Sequence, residues 1–170
     1  MNKEEVAFLE YYANQLRIHS IEMTTAAGTG HPTSCASAAE IMACLFFREL
    51  RFDPSNPKAH DVDEFILSKG HIAPIWYAAL AEAGAIDKKE LKNLRKFSSV
   101  LEGHPMPRFE WTKAATGSLG QGLSISCGIA IAQRLDHSDK RTYCLMGDGE
   151  VAEGSVWEAA GFASSKKLNH

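Results

Sequence analysis

The stretch from Tyr143 to Glu150, together with the helical pattern that follows it, constrains the fold most strongly. Residues 142–146 are apolar or β-favouring and predict a short buried strand. Gly147-Asp148-Gly149 breaks that strand, and apolar residues then recur at helical spacing over 153–167. This order predicts an α/β fold, with a parallel sheet flanked by helices. It also places the Asp148 carboxylate at the carboxyl end of a strand, where open α/β sheets bind ligands.

Asp148 is a candidate metal ligand because of its two glycine neighbours. The backbone around such an acid can approach bound oxygens closely, and a carboxylate suits a hard cation. A solvated turn between strand and helix is the alternative.

Hydrophobic patterning elsewhere predicts helices at 4–27, 34–50, 74–83, 87–97 and 123–135, and a further strand at 64–68. Helix 123–135 is nearly all apolar, so we expect it to be central and buried. No repeat, low-complexity tract or linker marks a domain boundary. The pattern stops on a helix with no strand after it, which indicates one part of a longer or split protein.

Composition and charge narrow the class of protein. The chain has 170 residues, of which 45% are hydrophobic and 23% charged, as in one globular domain. A net charge of −3 gives no electrostatic footprint for nucleic acid or an anionic membrane. The N-terminus resembles no signal peptide, and the four cysteines form no Cys-x-x-Cys pair. We therefore predict a cytoplasmic protein with reduced thiols and neither a nucleic-acid nor a membrane partner.

Three histidines directly follow a glycine, in the pairs Gly30-His31, Gly70-His71 and Gly103-His104. Each pair falls at the end of a predicted element. Glycine lets the backbone turn sharply beside a ligand, and imidazole titrates near neutral pH. The set suggests one pocket lined by histidines; the alternative is three exposed loop histidines.

A glycine-rich loop, Thr116-Gly117-Ser118-Leu119-Gly120-Gln121-Gly122, precedes the apolar helix. Its backbone N–H groups can face an anion, and the helix behind it supplies a positive dipole end. No clear strand comes just before it, so a dinucleotide fingerprint is not supported. Tight helix packing is the other explanation for these glycines.

The glycine-rich loop and Asp148 together suit the binding of a diphosphate bridged to a divalent metal. A second metal ligand is not identifiable in the sequence. Glu153, placed by the pattern in the first turn of the last helix, is either a capping acid or a buried carboxylate with a function.

Five motifs together resemble the transketolase family, in that family's order. They are Gly28-Thr29-Gly30-His31-Pro32-Thr33-Ser34, Ser68-Lys69-Gly70-His71, Glu102-Gly103-His104-Pro105, residues 116–122 and Gly147-Asp148-Gly149. The resemblance covers nearly the whole chain. It implies a thiamine-diphosphate-binding fold and transfer of a two-carbon ketol unit from a ketose phosphate to an aldose phosphate.

The resemblance also implies site residues, taken position by position. His31, His71 and His104 would face substrate and cofactor and assist proton transfers. The cofactor contacts would be Ser34, His71, Gly117, Ser118, Leu119, Asp148 and Gly149. Asp148 would hold Mg²⁺ or Ca²⁺, and Glu153 would link the two sites of a dimer.

The resemblance covers only part of the sequence that the family has. The family's asparagine metal ligand lies beyond the last residue, and the pyrimidine-binding and C-terminal domains are absent. Residues 1–170 would then be the N-terminal part of a single diphosphate-binding domain. Its partners would be sugar phosphates and the missing C-terminal part or a partner subunit, in a homodimer or a split heterotetramer. The isolated chain is predicted to be inactive.

Two other functions remain open at this point. One is a truncated, non-catalytic relative that acts as a binding or regulatory module. The other is a zinc hydrolase with His31, His71 and His104 as ligands, although spacings of 40 and 33 residues provide no local pair to orient zinc.

Overall fold

A computed structural model describes residues 1–169, which form two compact units. Unit 1 comprises Met1–Ala59 and His71–His104. Unit 2 comprises His60–Gly70 and the described residues from Pro105 onward. That the chain is part of a single domain stays a prediction.

Unit 1 is helical. Its elements are α1 (Lys3–Ala27), α2 (Pro32–Ser37), α3 (Ala39–Cys44), a π-helical turn (Leu45–Glu49), α4 (Ala73–Glu82) and a 3₁₀ helix (Lys88–Asn93). A 3₁₀ turn at Gly70–Ile72 precedes α4.

The core of unit 1 lies between α1 and α4. Leu9, Leu16 and Met23 recur every seven residues along α1 and are buried, so they form one continuous apolar face. Helix α4 is buried along almost its whole length. The helix predicted at 4–27 is confirmed to within one residue, because Asn2 caps it by accepting the Glu5 N–H at 2.8 Å.

Two helix predictions in unit 1 are wrong about the length or the type of the helix. The helix predicted at 34–50 begins earlier, at Pro32, and breaks at Ala38, whose N–H bonds the Cys35 carbonyl in a 3₁₀-type contact. The surface helix predicted at 87–97 is a short 3₁₀ helix. Leu91 and Leu94 are both buried, and their spacing of three residues suits 3₁₀ geometry.

Unit 2 contains a parallel strand pair with helices. Its elements are β1 (Glu64–Leu67), α5 (Gly122–Leu135), β2 (Thr142–Leu145), a 3₁₀ turn (Glu150–Ala152) and α6 (Gly154–Ser165). Glu64 pairs with Thr142 and Leu67 with Leu145, so both strands end at the same edge. Helix α5 packs against both strands and against α6. The predicted α/β class with a parallel sheet is confirmed.

Helix α5 is only half buried in this chain, contrary to the expectation of a central helix. Its buried face carries Gly122, Ser126, Cys127, Ala130 and Gln133. These positions follow helical spacing and are mostly small, so α5 lies close to the strands. The opposite face has no cover from the described residues, and Leu135 is 73% exposed.

No helix within residues 1–169 has the length and apolar character needed to cross a lipid bilayer. The cysteines, Cys35, Cys44, Cys127 and Cys144, are free thiols. Burial raises the pKa of Cys144 to about 11 and so disfavours its reactive thiolate.

Candidate functional site

The carboxyl ends of β1 and β2 in unit 2 meet the glycine-rich loop. The Ser68 N–H, directly after β1, donates to the Leu145 carbonyl at 2.9 Å. Thr116 at the start of the loop donates its hydroxyl to the Leu67 carbonyl at 2.7 Å. The Gly122 N–H, at the first residue of α5, donates to Ser68 Oγ at 3.1 Å. The loop is therefore fixed to the sheet edge at both of its ends.

Glu150 is the centre of this edge, and the sequence analysis missed it. Its side chain is buried, with the residue 2% exposed, and accepts hydrogen bonds from three separate segments. Oε1 accepts the Ser68 hydroxyl and the Gly120 N–H, the latter at 2.9 Å. Oε2 accepts the Gly147 N–H at 2.9 Å. A glutamate is usually exposed, so composition and spacing gave no signal for this role.

The glycine-rich loop has a fixed end and an open tip. Gly120 has φ +86°, and a Cβ there would lie 2.9 Å from Glu153 Cβ, so a larger residue would be strained and crowded. Its carbonyl accepts the Ser155 hydroxyl at 3.0 Å. Ser118 and Leu119 are exposed at the tip, and Gly117 is partly exposed beside them. This arrangement leaves residues 117–119 free to contact a ligand.

Asp148 lies in the turn after β2 together with Gly149, and both are exposed. The Asp148 carboxylate makes no hydrogen bond or ion pair with any residue from 1 to 169, so both of its oxygens are available. No group of three or more histidine, cysteine, aspartate or glutamate residues within that range could hold a metal. A single free carboxylate fits Mg²⁺, which completes its octahedron with water and phosphate oxygens. A zinc site made of the three histidines is not supported.

Glu153 occupies the N-cap position of α6, outside the helix, and is exposed. Its side chain makes no capping hydrogen bond, although the residue holds the capping position. The alternative of a buried carboxylate is wrong, because Glu153 is exposed. The residue lies beside Gly120. Unit 2 thus brings the loop tip, the Asp148 turn and Glu153 to the same end of its strands.

In unit 1, the histidines predicted to face a ligand lie close together. The rings of His31 and His71 meet edge to face, with centroids 5.1 Å apart. His31 precedes α2, and Ser34 lies half-buried in the first turn of that helix. Burial lowers the pKa of His104, and the positive charges of Arg95 and His31 lower it further. His104 is therefore held in its neutral form around pH 7.

Arg95 connects the loops that carry two of these histidines, and the sequence analysis also missed it. Its backbone has the left-handed φ of +61°, uncommon outside glycine, and its N–H donates to the Leu101 carbonyl at 2.8 Å. The guanidinium lies against Gly103, where any side chain would displace it. Nη1 donates to the Thr29 hydroxyl at 3.4 Å. One side chain thereby contacts the segments before His31 and His104.

Replacing Arg95 with methionine is expected to raise the pKa of His104 towards its ordinary value, because the variant removes a cation that opposes protonation of the imidazole. The methionine stem can still cover Gly103. An NMR titration of the His104 ring signal measures the change. Lys96→Met is the matched control, since Lys96 is an adjacent cation bound to Asn93 at 2.8 Å. An unchanged His104 pKa in Arg95→Met would contradict this account.

The two groups of predicted site residues belong to different units. Unit 1 contains Ser34 and the three histidines, whereas unit 2 contains residues 117–119, Asp148, Gly149 and Glu153. That both groups line one cleft stays a prediction.

Comparison with known proteins gives consistent matches over the chain. Residues 9–170 match the family described as "Transketolase, thiamine diphosphate binding domain". The chain is 55% identical over 170 residues to the transketolase of Pongo abelii. The aligned region covers 99% of this chain and 27% of that protein. It is 39% identical to the 6-deoxy-6-sulfo-D-fructose transketolase subunit SqwG of Clostridium sp. strain MSTE9, covering 98% of this chain and 61% of that subunit.

A solved structure supports the same relationship. The crystal structure of transketolase from Campylobacter jejuni superposes with a TM-score of 0.88 at 35% identity, covering 99% of this chain and 27% of that one. The chain thus spans about a quarter of the length of the Pongo abelii and Campylobacter jejuni transketolases.

Proposed function

The chain belongs to the transketolase family, and on that premise we propose that it forms the N-terminal, diphosphate-binding part of a thiamine-diphosphate enzyme. The complete enzyme would transfer a two-carbon ketol unit from a ketose phosphate to an aldose phosphate. The observation that supports this most directly is the edge built around Glu150. There, a free carboxylate and an open glycine loop lie at the carboxyl ends of two parallel strands.

The residues of unit 2 would bind the cofactor's diphosphate. Asp148 would hold a divalent metal, Mg²⁺ or Ca²⁺, through its unpaired carboxylate. Gly149 and the exposed tip formed by Gly117, Ser118 and Leu119 would contact phosphate oxygens and the cofactor's apolar surface. The N-terminus of α5, directly behind the loop, favours negative charge.

The residues of unit 1 would act on the substrate side. Bound thiamine diphosphate supplies the electron sink for carbon–carbon bond cleavage. His104, held neutral, can accept a proton from a sugar hydroxyl through a ring nitrogen and return it later. His31 and His71 would hydrogen-bond substrate hydroxyls, with His71 and Ser34 also touching the cofactor. The exposed Glu153 would link the two sites of a dimer.

The proposed assembly requires further sequence. The chain would work with a C-terminal part, either in the same polypeptide as a homodimer or as a separate subunit in a split heterotetramer. The Clostridium relative is itself named a subunit, and this chain spans 61% of its length, which supports the second arrangement. Cytoplasmic location and inactivity of the isolated 170 residues stay predictions.

Replacing Asp148 with alanine tests the metal assignment. In the complete protein, we expect the Kd for thiamine diphosphate at fixed Mg²⁺ to rise about 100-fold, because a direct metal ligand should matter at least as much as its outer-shell partners. Isothermal titration calorimetry over a series of Mg²⁺ concentrations measures this.

The matched control is Asp136→Ala, which removes an exposed acid at the C-terminal end of α5. It should leave the Kd unchanged. Equal cofactor affinity in wild type and Asp148→Ala would contradict the metal assignment. A wild-type protein with no affinity for thiamine diphosphate would contradict the proposed function.

A further inference from the structure

Tyr77 makes a contact that the assignments above do not use. The residue lies in α4 and is fully buried, with none of its surface exposed. Its hydroxyl donates to the backbone carbonyl of Glu102 at 3.0 Å, although the two residues are 25 positions apart in the chain. A buried tyrosine hydroxyl usually has such a partner, so the ring contributes to the core while the hydroxyl holds a separate segment.

The Tyr77 hydroxyl stays a hydrogen-bond donor at physiological pH. Burial raises the pKa of Tyr77 above its ordinary value, and the negative charge of Glu102 raises it further. The phenol therefore remains protonated over the whole pH range in which a histidine titrates. Because a carbonyl oxygen can only accept, this contact keeps one direction and does not switch with pH.

The accepting carbonyl lies in the loop that carries His104. It belongs to the peptide group between Glu102 and Gly103, directly before the histidine. Arg95 contacts the same loop, because its N–H donates to the Leu101 carbonyl at 2.8 Å and its guanidinium lies against Gly103. Three successive residues before His104 are thus held in place by Arg95 or by Tyr77.

The helix that carries Tyr77 also follows directly after the 3₁₀ turn that contains His71. The carbonyl of Ile72, the last residue of that turn, accepts a weak hydrogen bond from Cys35 Sγ at 4.0 Å. Cys35 lies in α2, the helix that begins directly after His31. The first half of α4 therefore connects the segments on which all three histidines lie.

This half of α4 is suited to hold a fixed geometry. Every residue from Ala73 to Ala81 is buried. Close-packed interiors resist small displacements, because neighbouring side chains already fill the space around them. The Tyr77 hydroxyl is therefore a fixed point from which the loop before His104 is held.

We propose that Tyr77 is a positioning residue for His104, whose place relative to His31 and His71 is set by the hydrogen bond from the Tyr77 hydroxyl to the Glu102 carbonyl. Tyr77 acts in this role through the backbone and not by contact with substrate or cofactor. The assignment rests on the proposed function for the part that His104 has in proton transfer. The geometry that it describes requires only the fold of unit 1.

Tyr77→Phe in the complete protein removes one oxygen atom and keeps the ring. We expect kcat for ketol transfer to fall about 10- to 100-fold, since a displacement of about 1 Å can cost about 10²-fold in rate. The Kd for thiamine diphosphate should not change, because Asp148 and the glycine-rich loop are untouched. A kcat within about twofold of wild type would overturn the assignment. So would a rise in Kd as large as the fall in kcat, because the loosening would then extend beyond the His104 loop.

The pKa of His104 gives a second readout that needs no substrate. Burial is the main cause of its lowered pKa. When the loop is released, water reaches the imidazole more freely, so the pKa in Tyr77→Phe should rise towards its ordinary value. An NMR titration of the His104 ring signal measures the change, which a loss of stability alone does not produce. An unchanged pKa would contradict the positioning role.

Two control variants separate the hydroxyl from general stability. Tyr12→Phe removes a hydroxyl from a partly buried tyrosine on α1, whose ring stacks on Phe47 with centroids 3.9 Å apart. Leu9→Ala leaves a cavity in the core and lowers Tm, at a site about 27 Å along α1 from its last residue, Ala27.

Both controls should keep the wild-type kcat and the wild-type pKa of His104, measured at a temperature where each variant is folded. If Leu9→Ala reproduced both changes expected for Tyr77→Phe, general destabilisation would account for them, and the positioning role would be wrong.

The outcomes distinguish this assignment from the proposed function. A complete protein without ketol transfer, in which Tyr77→Phe still raises the pKa of His104, contradicts the proposed function and supports the positioning role. A protein that catalyses ketol transfer equally well with and without the Tyr77 hydroxyl contradicts the positioning role alone.

Discussion

Replacing Glu150 with alanine is expected to lower the free energy of unfolding by roughly 3 kcal/mol, since each buried donor left without a partner costs about 1–3 kcal/mol. Two backbone donors, the N–H groups of Gly120 and Gly147, lose the acceptor that Glu150 provides. The Ser68 hydroxyl loses its acceptor as well. Chemical denaturation of the complete protein measures the loss.

The same variant should also weaken cofactor binding. Glu150 holds the fixed end of the glycine-rich loop and the start of the Asp148 turn, so both become mobile when the carboxylate is removed. Glu150→Gln keeps the shape and one acceptor oxygen, but its NH₂ group has to face a backbone N–H donor. We expect its stability to lie between those of wild type and Glu150→Ala.

Glu158→Ala is the control for loss of an acid. Glu158 is exposed on α6, and its replacement should change stability by no more than about 0.5 kcal/mol. If Glu150→Ala were as stable as this control, the carboxylate would not organise the edge in the way that its hydrogen bonds indicate.

His104→Ala in the complete enzyme is expected to lower kcat for ketol transfer by about 10²- to 10⁴-fold, the range for a lost general acid–base group. The fold should be largely spared, because His104 is only partly buried and lies in a loop. A coupled assay with saturating sugar phosphates and cofactor measures kcat, and a thermal melt checks the fold.

His60→Ala is the histidine control, since His60 is exposed in a loop and no site role is assigned to it. Its kcat should match that of wild type. An unchanged kcat in His104→Ala, with the cofactor bound, would show that His104 has no part in the proton transfers.

Sequence patterning correctly predicted the strands and helices whose signals lie within the segment itself. Strands β1 and β2 and helix α1 match their predicted ranges to within one residue at each end. Alternation, helical spacing and the capping Asn2 all lie within the segment that they describe. The resemblance to transketolases, carried by five short motifs, agrees with the family match.

The residues that sequence patterning missed are long and charged, and their positions depend on distant segments. The buried Glu150 accepts hydrogen bonds from Ser68, 82 residues away in the chain, and from Gly120, 30 residues away. Arg95 contacts Thr29, at a separation of 66 residues. Nothing near these residues in the sequence indicates such partners. The helix predicted at 34–50 breaks at the buried Ala38, and the segment contains no glycine or proline that would mark the break.

The parallel pairing of β1 with β2 has a consequence for synthesis on the ribosome. Glu64 pairs with Thr142, so 142 − 64 = 78 residues separate the partners. At roughly 5–20 residues per second, the first strand is synthesised about 4–16 seconds before its partner. During that interval the nascent strand has an open edge, which chaperones or another nascent chain can occupy.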